Sequence, residues 1–122
     1  MKKLTLYIPT YNRPQKADLL VRAAYDKITQ ANYSNWICVL VSDNHSNDIG
    51  YRSIEEFCKD KEGLSYIRQH TNLGLAGNIL YGLLSFETDY IWILSDDDVV
   101  NFDVLDKFLL PFDLGVEHIY IS

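Results

Sequence analysis

The run Tyr90-Ile91-Trp92-Ile93-Leu94 leads directly into Ser95-Asp96-Asp97-Asp98. Five unbroken apolar residues read as a strand covered on both faces, so the fold must deliver a buried strand end to three adjacent carboxylates. Like charges about 5 Å apart repel by roughly 3 kcal/mol per pair at an effective dielectric near 20. A cluster of this kind at the mouth of a buried strand calls for a cation. All-oxygen ligands without a neighbouring His or Cys select a hard divalent ion, Mg²⁺ or Mn²⁺, which fills its shell with phosphate oxygens and water. The stretch therefore suggests a metal-diphosphate site. A solvated loop with one Asp favouring the dipole of the next helix is the plainer alternative, and it leaves two carboxylates unexplained.

The rest of the chain alternates strand and helix signals. Leu4 to Ile8 reads as a first strand that stops at Pro9. Pro14 to Gln30 follows as a helix with Leu20, Ala23, Ala24 and Ile28 on one face, and Pro14 suits its first turn. Trp36 to Val41 is a nearly continuous apolar run, expected to be covered on both faces, and a helix from Tyr51 to about Lys61 follows it. Leu64 to Arg68 is a third strand. After the loop Thr71 to Asn78, a helix is expected to bury Ile79, Leu80, Leu83 and Leu84. Beyond the acidic cluster, Val104, Leu105, Phe108 and Leu109 predict a short helix ended by Pro111, and Glu117 to Ser122 begins a fifth strand. Such alternation predicts an α/β domain with a mostly parallel sheet, because parallel strands need crossover connections.

With 122 residues the chain has room for one core, and residues 1–122 are expected to form a single domain. A net charge of −6 with no basic stripe argues against nucleic acid as a partner. Cys38 and Cys58 have neither zinc spacing nor a disulfide framework and read as reduced core residues of a cytosolic protein. The apolar start is cut off by Pro9 too early for a signal peptide, and no run approaches the roughly 20 residues of a membrane span. The expected location is therefore the cytoplasm, with any membrane association left to sequence after Ser122. His45, His70 and His118 show no ligand spacing.

In an open parallel sheet, the loops that follow the strands share one edge, where ligands bind at the point of strand-order reversal. Here those loops are Thr10-Tyr11-Asn12-Arg13, Asp43-Asn44, Asn72-Leu73-Gly74 and Asp96-Asp97-Asp98. The first contains no glycine, which disfavours a dinucleotide site, and no phosphate-binding G-x-x-x-x-G-K-[ST] occurs. Gly74-Leu75-Ala76-Gly77 is compatible with a phosphate at a helix N-terminus, or with a helix start and nothing more.

Taken together, Ile8-Pro9-Thr10-Tyr11-Asn12-Arg13, Val41-Ser42-Asp43-Asn44, Asn72-Leu73-Gly74 with Asn78, and Ser95-Asp96-Asp97-Asp98 resemble the nucleotide-binding half of family 2 glycosyltransferases. The resemblance implies a three-layer, Rossmann-like sandwich of the GT-A type and transfer of a sugar, with inversion, from a nucleoside diphosphate. It implies that Pro9, Thr10, Tyr11, Asn12 and Arg13 flank the nucleoside, with Asp43 and Asn44 at the base. Asn72, Gly74 and Asn78 would shape the ribose and diphosphate pocket, and Asp96 would face the ribose. Asp97 and Asp98 would hold Mn²⁺ or Mg²⁺. The implied partners are a UDP-sugar and a glycan, lipid or protein acceptor. Ser95 stands where the family's D-x-D pattern often has its first acid, which leaves the roles of the three Asp residues open. The family's general base is expected after Ser122. A non-catalytic nucleotide-sugar-binding or interaction module is the alternative function.

Overall fold

The computed structural model describes residues 2–97 and 99–109, together with the backbone of 119–121. Asp98, Pro111, Glu117, His118 and Ser122, which enter the sequence reading, lie outside the described residues. The elements are β1 (Leu4–Thr10), α1 (Pro14–Gln30), β2 (Ile37–Asp43), α2 (Tyr51–Lys59), β3 (Leu64–Arg68), α3 (Gly74–Ser85), β4 (Tyr90–Ile93), α4 (Val104–Phe108) and β5 (Ile119–Ile121). The strands form one sheet in the order β3-β2-β1-β4-β5, and every neighbouring pair is parallel.

The strand order reverses at β1. From β1 the chain steps outward to β2 and β3, then returns to the other side of β1 as β4. Right-handed crossovers place the helices of the outward steps on one face and the helix of the return step on the other. Accordingly α1 and α2 cover one face and α3 packs on the opposite one; α4, in the step from β4 to β5, lies on the α1 and α2 face rather than where this rule would put it. The result is a three-layer α/β sandwich.

β1 does not stop before Pro9, as its sequence suggests, but runs to Thr10. Its alternate residues face different neighbours: Thr10 O accepts the Asn44 N–H, and Tyr7 O accepts the Leu94 N–H, each at 2.9 Å. Pro9 falls on the β4 side, one step past the bond from Leu94, and with no N–H to continue the ladder it leaves the pairing with β4 to end there. β2 likewise extends beyond Val41, and the register sets Thr10 beside Asp43.

The main core lies between the sheet and α1, α2 and α4. Leu4, Leu6, Ile8, Ile37, Val39 and Val41 meet Leu20, Val21, Ala24 and Ile28 of α1, Ile54 and Cys58 of α2, and Leu105 of α4. Ala23, expected on the buried face of α1, is exposed, and Val21 occupies that face instead. The opposite face of the sheet is more thinly covered. Tyr7, Ile91 and Ile93 are buried there, with Leu40, Ile79, Leu83 and Phe86 partly so. β2 is thus not covered equally on both faces: Cys38 and Leu40 are only half-buried.

α3 differs most from expectation. Ile79 and Leu83 pack inward, but Leu80 is 53% exposed and Leu84 78%. The buried line of this helix runs through Asn78 and Gly82, which turns Leu80 and Leu84 outward. A Cβ on Gly82 would lie 2.6 Å from Cε2 of Tyr7, so only glycine lets the helix sit on that ring. Among the described residues no helix is long and apolar enough to cross a membrane.

Gly82→Ala should therefore destabilise the fold by about 1–3 kcal/mol in urea denaturation, as overpacking against a fixed ring does. Leu84→Ala, on the exposed face, should change stability by no more than about 0.5 kcal/mol. An alkaline limit is also built into the core. Burial pushes the Tyr7 hydroxyl from 10.0 to about 12 and the Cys58 thiol from 9.0 to about 11. Both groups are held neutral in the folded state, so their contribution is complete below the unfolded values and lost as pH rises through the folded ones. Denaturation midpoints should fall between pH 9 and 12, and less steeply in Tyr7→Phe.

Candidate functional site

β1 and β4 flank the point of strand-order reversal, and the loops after β1, β2, β3 and β4 surround a cavity of about 430 Å³ there. Pro9, Thr10, Tyr11 and Arg13 line it from the first loop and Asn44 from the second. Asn72, Gly74, Leu75, Asn78 and Ile79 form the wall contributed by the third loop and α3. Ser95, Asp96 and Asp97 complete it. Asn12 and Asp43 support this cavity without lining it.

Hydrogen bonds tie the four loops together. The Arg13 backbone N–H donates to the Tyr51 hydroxyl at 2.8 Å. Thr10 Oγ1 donates to Asp96 Oδ2 at 2.8 Å, so the 2.7 Å contact between Thr10 and Tyr51 is a Tyr51 O–H donated to Thr10. The result is a directed chain from Arg13 through Tyr51 and Thr10 to the Asp96 carboxylate, whose bonds polarise one another. Asp96, 9% exposed, also has Arg13 Nη1 at 3.4 Å from its other oxygen. It is thus a buried carboxylate with both oxygens engaged.

Asp97 is held differently. Its side chain is half-exposed and pairs with two cations, Arg13 and Lys16, the latter at 2.8 Å. Its own N–H donates to Ser95 Oγ at 3.3 Å. Among the described residues no three His, Cys, Asp or Glu side chains gather as a metal-ligand cluster; Asp98 is not among those residues.

Asp43, 1% exposed, lies beneath the second loop. Its Oδ1 accepts the Ser46 N–H at 3.0 Å and its Oδ2 the Tyr66 hydroxyl at 2.6 Å, with Arg68 Nε 3.9 Å away. Burial, followed by the bond to this carboxylate, raises the Tyr66 pKa, so Tyr66 remains a donor. Asn12 adopts φ 52°, a left-handed conformation that Asn tolerates, and links the first two loops. Its N–H donates to Ser46 Oγ, and its Oδ1 accepts the Asn47 N–H.

The third loop is organised by Asn44, whose amide donates to Asn72 Oδ1 and Gly74 O and accepts the Leu73 N–H. Gly74 sits at φ 75°, a conformation that favours glycine. Asn78 pins α3 to the sheet: its Nδ2 donates to Ser42 O, and its Oδ1 accepts from Ser42 Oγ and the Tyr7 hydroxyl. Gln69 donates to the same Ser42 hydroxyl. Tyr7, Ser42, Ser46, Tyr51, Tyr66 and Gln69 thus fix the site; sequence reasoning gave none of the six a role, although Ser42 stands in the run Val41-Ser42-Asp43-Asn44. The one available cue was Tyr51, a bulky aromatic opening a helix after Gly50.

The profile of glycosyl transferase family 2 matches residues 5–121, almost the whole chain. The chain belongs to glycosyl transferase family 2. Two solved structures of TarS from S. aureus share the fold of this family 2 chain. One superposes with a TM-score of 0.69 at 24% identity over 91% of this chain and 19% of the other; the second, TarS 1-349, gives 0.63 at 22% over 91% and 32%. The chain thus spans about a fifth of the one solved chain and about a third of the other. No curated protein matches the sequence. The family's GT-A fold agrees with the parallel α/β sandwich described above.

Tyr51→Phe should break the loop frame without disturbing the core. The Arg13 N–H loses its acceptor, and Thr10 Oγ1, still donating to Asp96, loses the hydroxyl that donates to it, at a cost of about 1–3 kcal/mol in chemical denaturation. Tyr11→Phe, at an exposed position of the same cavity, should leave stability within about 0.5 kcal/mol of the original.

Proposed function

We propose that this chain is the donor-binding part of an inverting family 2 glycosyltransferase that takes a nucleoside-diphosphate sugar through a divalent metal and passes the sugar to an acceptor. The observation that carries this reading is the contrast between Asp96 and Asp97 at the strand-order reversal. One carboxylate is buried and fixed; the next is half-exposed and held only by long, flexible cations. A cavity of about 430 Å³ falls within the range of roughly 300–1,000 Å³ typical of small-ligand sites.

The donor set suits Mg²⁺ or Mn²⁺, which take one or two carboxylates and complete their shell with phosphate oxygens and water. Asp97 would hold the ion, together with Asp98 as the next acid in the chain. When bound, the metal neutralises charge developing on the departing diphosphate. The protein's own groups would do the rest. Asp96, oriented by Thr10, is set to accept a ribose hydroxyl. Arg13 offers a forked guanidinium to phosphate oxygens. Asn72 and Gly74 bring side-chain amide and backbone groups to the opposite wall. The favoured donor is a UDP-sugar, because a pyrimidine N–H can bond to a carboxylate. Asp43, 1% exposed and behind the cavity wall, would meet that edge only by giving up its Tyr66 hydrogen bond, at the cost that burial imposes. Asp96 and Asp97 are both held by cations, which leaves deprotonation of the acceptor to another group.

Titration with UDP in a calorimeter tests the reading. Affinity should rise when Mn²⁺ is added, and Asp97→Ala should lose at least about tenfold, on the order of 1.4 kcal/mol. UDP binding that is indifferent to Mn²⁺ would overturn the role given to Asp97.

A further inference from the structure

Lys16 lies in the first turn of α1, where the helix dipole opposes a cation and where no acidic residue offsets it. Its ammonium reaches Asp97 Oδ1 at 2.8 Å, its one polar partner among the described residues, while 59% of its side chain is exposed. Arg13 takes the other oxygen of Asp97 and also approaches Asp96. Two cations thus face two carboxylates, and these four groups sum to zero charge. Lys16 also borders a second groove, of about 290 Å³, which has Asp96 and Asp97 on its wall. The ammonium therefore has open space beside the carboxylate.

A divalent ion that arrives alone at Asp97 must displace this ammonium and leave it without an anion. When a nucleoside diphosphate arrives with the ion, the displaced ammonium gains phosphate oxygens. We infer that Lys16 is a further donor-site residue that couples the two ligands: it competes with metal for Asp97 in the free protein and binds diphosphate in the loaded one. The inference rests on the donor-site reading above. Coupling of this kind is reciprocal, so metal should raise nucleotide affinity by the same factor as nucleotide raises metal affinity. Arg13 cannot be tested as cleanly, because its backbone N–H belongs to the Tyr51 chain and its guanidinium also meets Asp96.

The experiment measures Mn²⁺ alone, and then UDP at saturating Mn²⁺, on the original chain and on Lys16→Gln. Removing the competitor should tighten Mn²⁺ binding about two- to fivefold, and losing the phosphate contact should weaken UDP binding by a similar factor, the range expected of exposed ion pairs. Lys16→Arg should restore both affinities toward the original. Lys59→Gln, which removes a cation from the exposed pair with Glu56, should change neither and controls for net charge. Movement of both affinities in the same direction in Lys16→Gln, or of neither, overturns the role of Lys16 alone. An original chain whose UDP affinity gains nothing from Mn²⁺ overturns the donor-site reading, and this inference with it.

Discussion

The hydrogen bond from Thr10 to Asp96 joins the end of the central strand to the acidic loop across the strand-order reversal. β4 pairs with β1 only through Ile93, and the N–H of Leu94 makes the last ladder contact. Beyond that residue, among the described residues, the acidic loop has no sheet hydrogen bonds, so the positions of Asp96 and Asp97 depend on side chains. Thr10 can serve because β1 continues past Pro9 alongside β2, while the proline, which has no N–H to give, ends the ladder on the β4 side. Tyr51 supplies the proton that leaves the Thr10 hydroxyl free to donate to the carboxylate. A backbone accommodation on one strand thus decides where a functional side chain can stand on the next.

Much of this was legible in the sequence because the governing patterns are local. Pro14 and the i, i+4 spacing marked α1, and the apolar run before Asp96 marked β4. Parallel topology then followed from alternation, and with it the meeting of four loops at one edge. What could not be read depends on partners distant in the chain. Leu80 and Leu84 have the same side-chain chemistry as Ile79 and Leu83, and the seating of Gly82 on Tyr7 together with the bonds of Asn78 to Ser42 decides which pair turns inward. Asp43 and Asp96 likewise look equivalent as acids after apolar strands. Ser46 is a local partner of Asp43, but Tyr66 and Thr10, which set the two environments apart, come near them only after folding.

Among the described acids, Asp43, Asp96 and Asp97 form a graded series, and the grading has chemical content. Asp43 is almost wholly buried and spends its oxygens on Tyr66 and Ser46, so it stiffens the second loop. Asp96 keeps a face on the cavity while Thr10 and Arg13 fix it, which suits a group that must accept a hydrogen bond in one defined place. Asp97 is held by the tips of two flexible side chains whose pairing with it is screened and individually weak. A carboxylate destined to change partners needs this kind of restraint: cations close enough to lower the cost of three neighbouring acids, yet exposed enough to be released. If Asp97 were buried as Asp43 is, breaking its pairs would leave an uncompensated charge in the protein interior, at a cost of about 3–5 kcal/mol. The half-exposed position keeps that exchange within reach of what a bound ligand can repay.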